Sequence, residues 1–428
     1  MANLLQKASI VLTPTAYDNG KVLCAKPSEA PYGDFDFSRN SAATRVNAQG
    51  LVENVQILSS NLVQNGDFSE EGAEEVSNGS FSQEGAELVT NGDFATDTDW
   101  SKGTGWSISG GTANCDGTQT SGTNLIQNFL ALGTNKIFKI EFELKDYQAG
   151  KLIYVNLTGT GILEFENINA NGTYVAYSGL STGDNFITFR ADADFIGSID
   201  NVSVREVGQD WNLIGTATIT ENQANIVTAS AVTGISQSNI LTIGKSYKLS
   251  YNIVSNNNGG LKISGNEIPS AVGNNTYYFE ASAASLEILR NSGITDISIT
   301  NISVKEVGMD WTLQTGWSIA EDKATFDETI GGAGNLSQTN VFTVGKTYKL
   351  TFDTLETNGG NLAYAFGSGY TFITAIQANT THTVYAVGEG TQFTLRGASN
   401  FTGSITNVSI IEITDDTNLP RINYEGFS

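Results

Sequence analysis

Three stretches of the chain alternate apolar and polar side chains with a period of two. Phe138, Ile140, Phe142 and Leu144 alternate with Lys139, Glu141 and Glu143; Tyr247, Leu249, Tyr251 and Ile253 with Lys248, Ser250 and Asn252; Tyr348, Leu350 and Phe352 with Lys349, Thr351 and Asp353. Successive side chains of a strand point to opposite faces, so each stretch predicts a strand with one face buried and one wet. No long stretch sustains an apolar period of 3.6, which predicts almost no helix. Three further segments, GSIDNVSV (197–204), ISITNISV (297–304) and GSITNVSI (403–410), change phase midway: Ile297 and Ile299 share one phase, Ile302 and Val304 the other. A one-residue slip turns every following side chain to the opposite face unless an extra residue is accommodated. The slip predicts a β-bulge at Asn201, Asn301 and Asn407.

These segments recur as repeats. VREVGQDW (204–211) and VKEVGMDW (304–311) place Trp211 and Trp311 100 residues apart, and DWSKGTGWSI (99–108) matches DWTLQTGWSI (310–319). Short strands, Gly/Asn turns and this module size predict an all-β chain of three tandem antiparallel β-sandwiches over 88–208, 209–308 and 309–413. Only GQD or GMD separates one module from the Trp of the next, so the connectors leave little freedom. A shorter repeat precedes them: NLVQNGDF, EVSNGSF and LVTNGDF put Asn65, Asn78 and Asn91 thirteen residues apart. One copy, 88–94, is expected to open the first sandwich; the rest of the repeat, 61–87, is expected to be a spacer or to add edge pairings. Residues 1–60 and 414–428 remain as terminal segments. In the first, FDFSRNSAATRVNAQGLVENV (35–55) reads as strand, turn, strand, too little to be stable alone.

Composition narrows the function classes. The 428 residues carry a formal charge of −23 with no Lys/Arg cluster, which argues against binding to phosphate backbones and to anionic membrane surfaces. Two cysteines, Cys24 and Cys115, cannot form a disulfide framework and are expected as independent thiols. The N-terminal apolar run ASIVL is too short for a signal peptide, and no apolar run reaches the roughly 20 residues of a membrane span.

Two resemblances follow from these residues. The modules, with NGDF at the start, a Trp soon after, GKSYKLSY midway and IDNVSV at the end, resemble jelly-roll carbohydrate-binding modules of bacterial glycan-degrading enzymes. FSRNSAATRVNAQGLVENV resembles the first half of a motif in tailed-bacteriophage fibre and appendage proteins, whose N-x-P-R-x-x-Y half stands here as TNLPRINYEG, residues 417–426. The second resemblance implies that the sandwiches are inserted into a small framing domain made from the two chain ends, so that Val55 and Asn418 are neighbours. In such proteins the chain usually continues past this motif. The implied protein is a virion structural component, a head or tail fibre or decoration, made in the host cytoplasm without a signal peptide. Its partners would be other virion subunits, as a homo-oligomer such as a trimer, and host-surface glycans. The alternatives of other classes are a carbohydrate-binding protein of a bacterial surface or secretome, and a polysaccharide depolymerase.

Enzyme chemistry finds little support. The single histidine, His382, lies in a strand-like TTHTVYAV, and no GxSxG, HExxH, Walker or zinc spacing occurs, so a non-enzyme is expected. No cofactor is expected beyond a structural calcium that the module resemblance implies for the first sandwich, held by Asp93 and Asp200; the alternative is that Asp200 caps the bulge through backbone amides. Glycan candidates are aromatic: Trp106 and Trp317 at matched positions, Tyr174 and Tyr177, and the pairs Tyr277–Tyr278 and Tyr364–Tyr370. Trp100, Trp211 and Trp311 are expected as packing residues at module junctions. Arg39, Arg45 and Arg421 are candidates for attachment to other subunits, or for pairing with Asp34 and Asp36.

Overall fold

The computed structural model describes residues 59–414, except 129–133, 158–164, 180–185, 331, 374–375 and 399, together with the backbone of six short strands between residues 14 and 58. Among the described residues the only helical element is the 3-10 turn Glu328–Ile330.

In the first module one sheet runs Gly172–Tyr177, Ile137–Ala149, Ile196–Val207, Thr112–Asp116, Trp106–Ser109. The facing sheet runs Glu166–Ile168, Leu152–Asn156, Phe186–Ala191, Thr123–Asn128, Ser101–Lys102. Counted from Thr112–Asp116, the eight principal strands lie in the orders 1-8-3-6 and 2-7-4-5, which is the jelly-roll arrangement. The second and third modules repeat it strand for strand. The long third strand carries the alternation read from the sequence: Phe142, Leu249 and Leu350 are fully buried. The predicted bulges are present. Between Glu141↔Ser203 and Glu143↔Asp200 the closing strand takes three steps to its partner's two. The same happens at Ser250↔Ser303 to Asn252↔Thr300 and at Thr351↔Ser409 to Asp353↔Thr406. Asn201, Asn301 and Asn407 sit at φ 51°, 52° and 53°, a conformation Asn tolerates better than most residues.

Of the two expectations for 61–87, a spacer or added edge pairings, the structure shows the second. Each thirteen-residue copy lies along the closing strand of a different sandwich, in reverse order. The backbone N–H of Leu62, Glu75 and Leu88 donates to the carbonyl of Ile410 (2.8 Å), Val304 (2.9 Å) and Val204 (3.0 Å) in the third, second and first modules. At the bulge, Val408, Ile302 and Val202 return hydrogen bonds to Gly66, Gly79 and Gly92 at 2.8, 2.9 and 2.9 Å. Phe68, Phe81 and Phe94 then pack on Trp311, Trp211 and Trp100 with ring centroids 5.1–5.3 Å apart. Those indoles donate to the carbonyls of Asn65, Asn78 and Asn91 at 2.9, 3.0 and 3.1 Å. The three tryptophans therefore pack against these straps inside their own sandwiches rather than at module junctions.

A strap is needed because the closing strand would otherwise expose one edge of its apolar layer. A buried glutamine on the second strand of each module completes the lock. Gln127, Gln237 and Gln338 each accept from and donate to one strap peptide, at Thr90, Ser77 and Gln64. Strap positions Asn61, Glu74 and Glu87 accept the N–H of Ile410, Val304 and Val204 at 2.9, 2.8 and 2.8 Å.

The chain forms two compact units: Glu71–Val307 holds the first two sandwiches with their straps, and the flanking residues hold the third with its own. Within the first unit, Ile137, Val207 and Tyr177 of sandwich one join the core of sandwich two. Val55 and Asn418 lie outside the described residues; just inside them, Ile57–Leu58 pairs antiparallel with Ile413–Thr414. Before that point the described backbone comprises a three-stranded sheet, Pro14–Asp18, Lys21–Cys24 and Gly33–Asp36, and the pair Thr44–Val46 with Val52–Asn54.

Candidate functional site

The expected glycan-binding tryptophans do not present a face. Trp106 is 7% and Trp317 4% exposed. Trp106 packs on Phe195, while Trp317 packs on Phe326 and donates its indole N–H to Gly334 at 2.9 Å. Ala217, which replaces them in the middle module, is fully buried, so the position is a core position filled with rings or with a methyl. Tyr174 is half-buried, stacked on Phe142 with its hydroxyl donating to Ala170, and Tyr177 packs against the core of sandwich two. Tyr277 is stacked beside Phe279.

The calcium pair is likewise differently employed. Asp200 is buried; its Oδ2 receives Lys145 Nζ at 2.8 Å and its Oδ1 the N–H of Asn201 at 2.7 Å. The ammonium takes Asp200 into an ion pair shared with Glu143, and the bulge N–H is capped as in the alternative reading. Asp200 and Glu143 together raise the Lys145 pKa. Asp93 is exposed and accepts the N–H of Ala95 at 3.3 Å. Among the described residues no three His, Cys, Asp or Glu side chains gather as a metal cluster.

The side chains of the attachment candidates Arg39, Arg45 and Arg421 lie outside the described residues, as does that of Cys24. Cys115 is buried in the first core, where desolvation pushes its thiol up to about 11. His382 is stacked on Phe352, with Nε2 3.1 Å from Thr354 Oγ1, and burial lowers its pKa. Neither is placed as a nucleophile or base.

One aromatic pair does converge on a surface depression. Tyr364, Phe366 and Tyr370 line a hollow of about 230 Å³ on the third sandwich with Ser368, Thr371 and Glu389. Two loops are held together there by glycines. Gly367 has φ 103°, and a Cβ on it would lie 2.0 Å from the nitrogen of Gly390. Ser368 Oγ donates to Glu389 Oε2 at 2.7 Å. Tyr370, 42% exposed, carries the Arg396 guanidinium 4.8 Å from its ring centroid, and its hydroxyl meets the Asn335 amide at 3.1 Å. Phe372 and Tyr385 of the same module are more than half exposed. An aromatic face beside a carboxylate, hydroxyls and a guanidinium can receive the C–H face of a sugar ring and bond its hydroxyls. The hollow is smaller than the roughly 300–1,000 Å³ of ordinary ligand pockets, so it suits one ring rather than a chain. Arg396 and Glu389 were not legible in the sequence, because they come from a separate strand and loop; Ser368 stands two residues before Tyr370, which the sequence had singled out.

No protein-family model and no curated protein matches the chain. Among solved structures it is similar to the N-terminal CBM22-1–CBM22-2 tandem domain of Paenibacillus barcinonensis Xyn10C, at 9% identity and a TM-score of 0.22, over 77% of this chain and 99% of that one. It is also similar to an archaeal virus protein described by its triple jelly-roll fold and turret assembly, at 12% identity and a TM-score of 0.18, over 74% and 90%. The jelly-roll assignment rests on the strand order itself.

Proposed function

We propose that this protein is a non-enzymatic structural component of a tailed-phage particle, a fibre or decoration whose strapped sandwiches are displayed from a base built by the two chain ends. One observation carries the reading. Ile57–Leu58 and Ile413–Thr414 are paired, so the chain leaves and re-joins the framing segments at one point, as an insertion into a split motif requires. The arrangement suits a display role: the second and third sandwiches are each closed by a segment remote in sequence. The base would attach to other virion subunits as a homo-oligomer. Mass spectrometry and immunogold imaging of purified particles test this; absence of the protein from intact virions would remove it.

The outward role is adhesion to host-surface glycans through the hollow at Tyr364 and Tyr370. On a glycan array the wild-type protein is expected to retain selected glycans. Tyr370→Ala, which removes a part-exposed ring with its contacts to Arg396 and Asn335, is expected to lower that signal at least tenfold while the third sandwich still unfolds cooperatively. Equal retention by both would exclude this hollow.

A further inference from the structure

The locks themselves do not explain why each strap lies on its own sandwich. Asn-Gly-x-Phe, the indole, the bulge and the buried glutamine are common to all three. What differs is the rim, four to seven residues before the Asn-Gly turn. Strap two has Glu71, which pairs with Lys248 at 2.5 Å and Lys305 at 3.0 Å. Strap three has Glu84, which pairs with Lys139 at 3.0 Å and Arg205 at 3.8 Å. Thirteen residues earlier, strap one has Leu58 at the register position opposite Ile413, and the third sandwich has Ile411 where the others have Arg205 and Lys305, while keeping Lys349 where they have Lys139 and Lys248.

We propose that the three sandwiches are peptide-binding modules for an Asn-Gly-x-Phe segment, and that the rim residue decides which segment each accepts. The common lock supplies binding. The Glu-to-two-cations rim makes straps two and three interchangeable on sandwiches one and two. Strap one is kept off sandwiches one and two, because its Leu58 position offers no carboxylate to Lys248 and Lys305 or to Lys139 and Arg205.

Labelled peptides of residues 57–70, 70–83 and 83–96 test this on the full chain carrying Gly79→Val, whose own strap two cannot enter its seat. Peptides 70–83 and 83–96 are expected to bind one per chain within about threefold of each other. Peptide 57–70 is expected to bind about fivefold more weakly at low salt, the gap closing at high salt because the rim pairs are half-exposed. Equal binding of 57–70 at low salt, or failure of 83–96 to bind, overturns the proposal. Phe81→Ala, which removes the ring that anchors strap two on Trp211 and so lets a peptide displace it, is the second variant. If neither variant folds alone, refolding with each peptide reads the same order as recovered Tm, and no recovery with 70–83 also overturns it.

Discussion

Gly66, Gly79 and Gly92 are points of close approach between strap and closing strand. A Cβ on them would stand 2.0, 1.8 and 2.1 Å from the carbonyl oxygens of Val408, Ile302 and Val202, which are backbone and cannot step aside. Gly79→Ala should therefore lower stability by about 1–3 kcal/mol, as overpacking does; urea denaturation of the single variant against wild type checks it. The neighbouring phenylalanines also pay a backbone cost, with φ of 59°, 55° and 49° at Phe68, Phe81 and Phe94. Bulky residues hold that conformation only when packing over-determines it, here a buried ring against a tryptophan. His382 gives a second residue-scale prediction. Burial lowers its pKa from 6.5, the weaker pull of Asp353 notwithstanding, so the unfolded chain binds the proton more readily than the folded one. Stability of the third sandwich should fall as pH drops below about 6.5 and level off below the folded pKa. Denaturation midpoints between pH 7.5 and 5 should show the slope, and His382→Gln should flatten it. At this scale the sequence spoke clearly of the bulge asparagines, because a phase slip is local. It misled at Trp106 and Trp317, because absence from one module is as compatible with a tolerant core as with a ligand site.

Straps two and three are held partly by ionised carboxylates, strap one by Asn61. Hydrogen bonds from Lys248 and Lys305 lower the Glu71 pKa. For Glu87, burial opposes ionisation, but bonds from Ser203, the N–H groups of Val204 and Val89, and Arg205 outweigh it and hold the pKa below its usual value. Both groups bind fewer protons folded than unfolded, so their stabilisation is present above about pH 4.5 and is lost as pH falls through their folded pKa values. Amide exchange read by mass spectrometry should show 71–90 losing protection on acidification before 59–68, whose lock has no carboxylate at the Glu74/Glu87 position. Glu87→Gln should make the third strap's response flatter. The strands of the sandwiches were readable from alternation, and LVTNGDF was placed with the first sandwich, where it lies; the partners of NLVQNGDF and EVSNGSF were not readable, because nothing near them in sequence says which edge they join.

The nesting of straps and modules redraws the domains of the whole molecule. A module defined as 209–308 lacks Val76 and Phe81, which belong to its core. The fragment Glu71–Val307 keeps every strap-to-sandwich contact of its two modules and should unfold cooperatively on its own, with a calorimetric transition near that of the parent. The fragment 84–307, which loses strap two and keeps Glu84 and Glu87 of strap three, should show sandwich two melting first and at least several degrees lower. Coincident melting of both fragments would mean the strap is ornament.

Composition, alternation and repetition by themselves determined that this chain is β-structure, folded three times on one plan with a bulge at the same asparagine, because those properties are set by side-chain period and local backbone preference. Which copy of the short repeat closes which sandwich, which tryptophans are buried, and which tyrosines meet Arg396 and Glu389 were decided only by the tertiary structure. Those pairings join residues up to some 350 positions apart, and contacts at that separation leave no periodic trace in the chain that makes them.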